Sequence, residues 1–103
     1  MHALAFSISI FASDGNTKFE PDDYKGDTRI NNPAIIPLKQ KPGAYKNCFF
    51  RGTFTVISPD GKDSTYKIDY SLLEDDSLVN PVMNLTGQTA GGKFTTIGIF
   101  HVN

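Results

Sequence analysis

The chain has no tryptophan, one cysteine, two methionines and almost no net charge. Each shortage removes a class of protein. A single Cys48 cannot close an internal disulfide, so the stapled scaffold of small secreted domains is excluded. The same count, with no tryptophan, excludes the immunoglobulin pattern of paired cysteines around a core tryptophan. A formal charge of −1 and a pI near 6.0 leave no global attraction to nucleic acid or membrane. No apolar run approaches the roughly 20 residues that cross a bilayer as a helix. No window of about eleven residues shows helical periodicity. GxSxG, HExxH and a phosphate-binding glycine loop are all absent.

What is present suits one small all-β domain. A length of 103 residues fits a single domain over 1–103, and 39% hydrophobic residues supply one core. Leu4, Phe6, Ile8 and Ile10 alternate with Ala5, Ser7 and Ser9, which predicts a first strand over residues 4–12. The same stretch faintly resembles the apolar part of a signal peptide. However, no Lys or Arg precedes it, and Ile10 sits where a small residue is needed before a cut after Ala12.

The clearest periodicity begins at Asn47. Cys48, Phe50, Phe54 and Val56 share one face, with Arg51, Thr53 and Thr55 on the other. Ser58-Pro59-Asp60-Gly61 carries turn chemistry at every position and predicts a hairpin. Its returning strand alternates Tyr66, Ile68, Tyr70 and Leu72 with Thr65, Lys67, Asp69 and Ser71. Residues 78–86 predict a further strand, which Pro81 makes an edge or bulged one. Ile97, Ile99, Phe100 and Val102 make the last strand apolar on both faces, which predicts a central position between layers. Short links suggest an antiparallel meander. Gly52 and Gly98, in mid-strand, mark bends covered by aromatic rings. The expected fold is an antiparallel β-sandwich or small curved barrel of about six strands.

Residues 13–46 form a long interruption with four prolines, Pro21, Pro33, Pro37 and Pro42. A stretch of this length is either functional or conceals strands. Its prolines predict an ordered arm draped over the sheet.

Charge concentrates in the middle of the chain. Lys25, Arg29, Lys39, Lys41, Lys46 and Arg51 face only Asp27 between residues 24 and 51, while both flanking stretches are net acidic. With Tyr24 and Tyr45 nearby, these basic residues are the candidate binding set: Tyr24, Lys25, Arg29, Lys39, Lys41, Tyr45, Lys46 and Arg51. Such a segment suits an anion or single-stranded nucleic acid, although its thin spread makes a solvated loop the plainer reading. Asp14, Asp22 and Asp23 are candidate calcium ligands, but Lys18 breaks their spacing and no EF-hand pattern is present.

No catalytic residue is assigned. Cys48 lies beside Phe49 and Phe50, where a thiol serves as a small buried hydrophobe. His101 falls on the face opposite Phe100 and Val102, with no partner placed beside it by sequence. Two functions of different class follow, neither needing a cofactor. The first is a non-catalytic recognition module that binds a protein or small polar ligand through its loops. The second is an assembly subunit joined through edge strands, for which strand one and residues 78–86 are the natural candidates, or through the 13–46 arm. A protein partner or self-association is expected, nucleic acid less so and membrane not at all. The cytoplasm is the favoured compartment.

Overall fold

A computed structural model describes residues 3–29, 32–58, 60–74, 77–78 and 82–102. Expectations resting on His2, Pro59, Asp75, Asp76 and Pro81 lie outside the described residues. The chain forms β1 (Ala3–Phe11), β2 (Tyr24–Arg29), a 3-10 turn (Pro42–Tyr45) and β3 (Phe49–Ile57). Then follow β4 (Thr65–Tyr70), β5 (Leu73–Glu74), β6 (Ser77–Leu78), β7 (Met83–Gln88) and β8 (Lys93–His101). All pairings are antiparallel: a four-stranded sheet in the order β2-β1-β3-β8, a two-stranded sheet β4-β7 and a short pair β5-β6. Among the described residues no helix is long and apolar enough to cross a membrane.

The second half of the chain is a folded ribbon, not the expected meander. Leu73 pairs with Leu78 at its tip, Tyr70 with Met83 behind it, and Ile57 with Lys93 further back. The segment from Phe49 to His101 is thus one long antiparallel hairpin, doubled over where β3 gives way to β4 and β7 to β8. Gly61 N–H donates to the Ser58 carbonyl at 3.1 Å, so the predicted turn does form. It does not join paired strands. β3 is hydrogen-bonded along its whole length to β1 on one side and β8 on the other, leaving no edge for β4.

The two corners lie side by side and are tied by polar contacts. Ser58 N–H donates to the Gly92 carbonyl at 2.6 Å, and Ser64 exchanges bonds with buried Thr89. In that exchange Thr89 N–H donates to the Ser64 carbonyl, and Ser64 N–H donates to Thr89 Oγ1, both at 2.9 Å. Asp63 accepts from Gly91 N–H at 2.8 Å. Gly92 has φ +82°, and a Cβ there would stand 2.7 Å from the Gly61 Cα. Only glycine suits so close a crossing of two backbones.

Three further expectations change. β1 is central, flanked by β2 and β3, and is not an edge. β8 is an edge strand, and its apolar Ile97 and Ile99 lie on the sheet face opposite the core, at 49% and 54% exposure. The 13–46 interruption hides β2, whose small and polar sequence YKGDTR shows no apolar alternation but pairs with β1 from Ala3↔Arg29 to Ile8↔Tyr24. The remainder of that stretch is a turn closed by the Phe11↔Lys18 bridge and, over 32–46, an irregular arm that ends in the 3-10 turn.

The core fills one face of the four-stranded sheet. Leu4, Phe6, Ile8 and Ile10 of β1 point into it, as do Phe50, Phe54 and Val56 of β3. The β4–β7 pair covers one end, burying Ile68 with Tyr66, Tyr70 and Leu85. At the other end Tyr45, Cys48, Leu72, Phe100 and Val102 close around Phe50. Phe50 stacks on Phe100 at 5.0 Å, and Tyr70 bridges the clusters by touching both Phe54 and Phe100. Aromatic rings bury the most surface per residue, and here they do the work of the missing tryptophan. They also cover the mid-strand glycines as expected: the Phe54 ring lies over Gly52 and the Tyr70 hydroxyl over Gly98.

Candidate functional site

The arm is moored by a buried carboxylate. Glu20 is 3% exposed and accepts from the Tyr24 hydroxyl at 2.9 Å and the Tyr45 hydroxyl at 3.0 Å. The arm completes the network through its backbone, with Lys39 N–H donating to the Tyr24 oxygen and Gln40 N–H to the Tyr45 oxygen. A buried carboxyl group needs hydrogen-bond partners, and two phenols supply them. Burial pushes the Tyr45 phenol well above its usual range, so it remains a donor. Two of the candidate binding residues, Tyr24 and Tyr45, thus serve inside the fold. Glu20 itself went unrecognised in the sequence, since nothing about it separates it from the solvated acids around it.

The other candidates do not converge. Lys39 pairs with Asp22 beside the arm, while Lys41 and Lys46 are exposed on either side of the 3-10 turn. Lys25 and Arg29 lie on edge strand β2, and Arg51 lies on the outer face of β3. The calcium candidates are equally scattered in purpose. Asp14 accepts from the backbone N–H groups of Asn16 and Thr17 and from the Thr17 hydroxyl. These bonds hold its carboxyl at about 2, below the usual 3.8. Asp23 is lowered chiefly by its ion pair with Lys18, and Asp22 faces Lys39. Among the described residues no three His, Cys, Asp or Glu side chains gather as a metal site. Cys48 is buried, which raises its thiol pKa and suits it to packing.

The geometry points instead to a groove of about 670 Å³ beside the two-stranded sheet. Its floor is the inner face of the large sheet: Leu4, Phe6 and Ile8 of β1 with Phe54 and Val56 of β3. One wall is β4, the other the start of the arm at Asn32–Ala34 and Ile36. Thr28 and Arg29 close it at the end of β2. The two kinds of lining differ in a telling way. From Leu4 onward β1 contributes every second residue, as a strand does when its face is exposed. β4 contributes all six consecutive residues, Thr65 to Tyr70, as a strand does when its edge is exposed.

That edge is unpaired because β4 bonds only to β7 among the described residues. The second layer therefore has two strands above a sheet of four, and the groove lies where a third would run. Its rim carries charge. Lys67 and Asp69 point away from the floor and face each other at 3.7 Å. The alternation of residues 64–72 indicated which side chains turn inward. It held no signal that the strand would lack a neighbour.

The chain matches no protein-family model, no curated protein and no solved structure.

Proposed function

We propose that this chain is a non-catalytic recognition module that holds an extended segment of a partner protein as an added strand along β4. On this reading the two layers are an incomplete sandwich, and the partner supplies the strand missing from the smaller one. The observation that carries it is the lining of the groove by six consecutive residues of a strand edge that is unpaired among the described residues. Backbone N–H and C=O groups on such an edge bind another backbone whatever its sequence, and pockets beneath alternate side chains add selectivity.

The dimensions support a single strand. Six residues of β4 offer an edge of roughly 20 Å. The apolar floor asks for apolar side chains at every second position of the guest. Lys67 and Asp69 lie two residues apart on the upper face, so an acid opposite the first and a base opposite the second fix the register. The floor strands project beyond β4, which bars the edge of a second folded sheet but admits a lone segment.

The test uses random heptapeptides displayed on phage and selected on the immobilised chain. Selected peptides are expected to alternate apolar and polar residues and to slow amide exchange at residues 65–70 above all. A Thr28→Trp variant, which fills the groove from β2, is expected to lose them while retaining its circular dichroism. Peptides that protect the loops instead of β4, or that bind Thr28→Trp unchanged, would refute the reading.

A further inference from the structure

The opposite face of the four-stranded sheet carries a second surface, unrelated to the groove. Adjacent rows can be read directly from the strand register. Phe11, Phe49 and His101 form one row across β1, β3 and β8, with the Phe49 and His101 rings 4.6 Å apart. Ser9, Arg51 and Ile99 form the next, followed by Lys25, Ser7, Thr53 and Ile97. Beyond them Thr55 and Thr95 share a hydrogen bond, and Lys93 stands at the far corner. Among the described residues no strand layer packs on this face, and only its Phe11 corner is covered, by the Asp14 turn and the Lys18 ammonium 5.7 Å from the Phe11 ring. A depression of about 560 Å³ lies over it, lined by Phe11, Phe49, Arg51, Ile97 and Ile99 together with the tip of the Asp14 turn.

The charges on this face favour an anion. Lys25, Arg51 and Lys93 form no ion pair among the described residues; Asp27 of β2 shares the face, and Asp23, paired with Lys18 and bonded to Ser9, lies beside it. The face thus combines aromatic rings in a row, an arginine within one residue spacing of them and a field of hydroxyls. Rings offer stacking to any base, arginine and lysine neutralise phosphate, and Ser and Thr hydroxyls bond phosphate oxygens. An open sheet face suits single strands, whose bases can splay out.

We infer that the open face of the β2-β1-β3-β8 sheet binds single-stranded nucleic acid, with Phe49 and His101 as the stacking platform and Arg51 as the central phosphate contact. Positive charge alone would suit any polyanion, and the aromatic row is what selects bases. The low overall charge of the chain does not oppose this, because Asp27 is the one acid in the four strands of this sheet.

Fluorescence anisotropy with labelled oligothymidine and oligouridine of about twelve nucleotides tests it on the whole chain. Binding is expected to weaken about tenfold to twentyfold between 50 and 200 mM salt, as for three neutralised single-strand phosphates. Arg51→Glu is expected to weaken it at least about tenfold. Phe49→Ala should cost about fivefold or more, the lower end for one base–aromatic stack. Arg51 is exposed, so its variant keeps the test valid if Phe49→Ala destabilises the fold. Thr28→Trp is expected to leave oligonucleotide binding intact, which separates this surface from the groove. Absence of binding at about 50 mM salt would overturn the inference. So would unchanged binding by Arg51→Glu, or equal affinity for heparin and for the matching duplex.

Discussion

Tyr70 is the residue on which the two layers meet. Its ring touches Phe54 and Phe100, and its hydroxyl is buried over Gly98 with no hydrogen-bond partner among the described residues. An unmade bond of that kind costs about 1–3 kcal/mol. Tyr70→Phe is therefore expected to leave stability unchanged or raise it by about 1 kcal/mol, read from urea unfolding. Gly98→Ala is expected to destabilise, because a Cβ there meets that hydroxyl and stands 3.0 Å from Leu85 Cδ1. In the double variant the hydroxyl is gone, and part of the Gly98→Ala penalty should disappear with it. Strict additivity of the two changes would show that the hydroxyl does not set the spacing of the layers. The aromatic cover over Gly98 was foreseeable from a mid-strand glycine in an aromatic-rich chain. Which ring would supply it was not, since Tyr70 lies in the other sheet.

At the scale of elements, the corner between the sheets decides the architecture. Ser58 to Gly61 has the composition of a tight hairpin, and its turn bond forms, yet the strands it joins enter different sheets. Turn residues specify a local change of direction and say nothing about which edge is vacant. The stabilising partner comes from the far side of the ribbon, where Thr89 meets Ser64. Thr89→Val keeps the shape and removes the hydroxyl, leaving Ser64 N–H without its acceptor. A loss of about 1–3 kcal/mol is expected, with Thr89→Ser close to the parent in chemical denaturation. A Val variant as stable as the parent would remove the corner from the list of determinants. β2 illustrates the converse difficulty. Its YKGDTR sequence lacks alternation because only its Tyr24 and Thr28 side turns inward, and Gly26 faces the Phe6 ring in place of a side chain.

For the whole molecule, the position of β1 matters most. Its alternation marked it as a strand, but strand order is a long-range property, and it proves central rather than peripheral. It pairs along its length with β3 and over six residues with β2, and it supplies the groove floor. Deletion of Ala3–Phe11 is expected to abolish the β circular dichroism and the cooperative thermal transition altogether. A truncated chain that still unfolds cooperatively would place the folding unit in the ribbon alone. The last strand shows the same limit in reverse. Ile97 and Ile99 resemble core residues by type, yet they lie on the sheet face opposite the core, where no strand layer packs among the described residues.

The sequence by itself determined the all-β class, the inward faces of β1, β3 and β4 and the burial of Cys48. Each follows from a period of two, from turn chemistry or from the want of helical pattern, all of which act between near neighbours. Only the tertiary structure decided that β3 pairs with β1 and β8, that β4 keeps a free edge above an apolar floor, and that Glu20 is buried between two tyrosines. Those outcomes depend on which edges remain vacant once the long ribbon has doubled back. Vacancy is a property of the assembled sheets, which no local pattern of residues encodes.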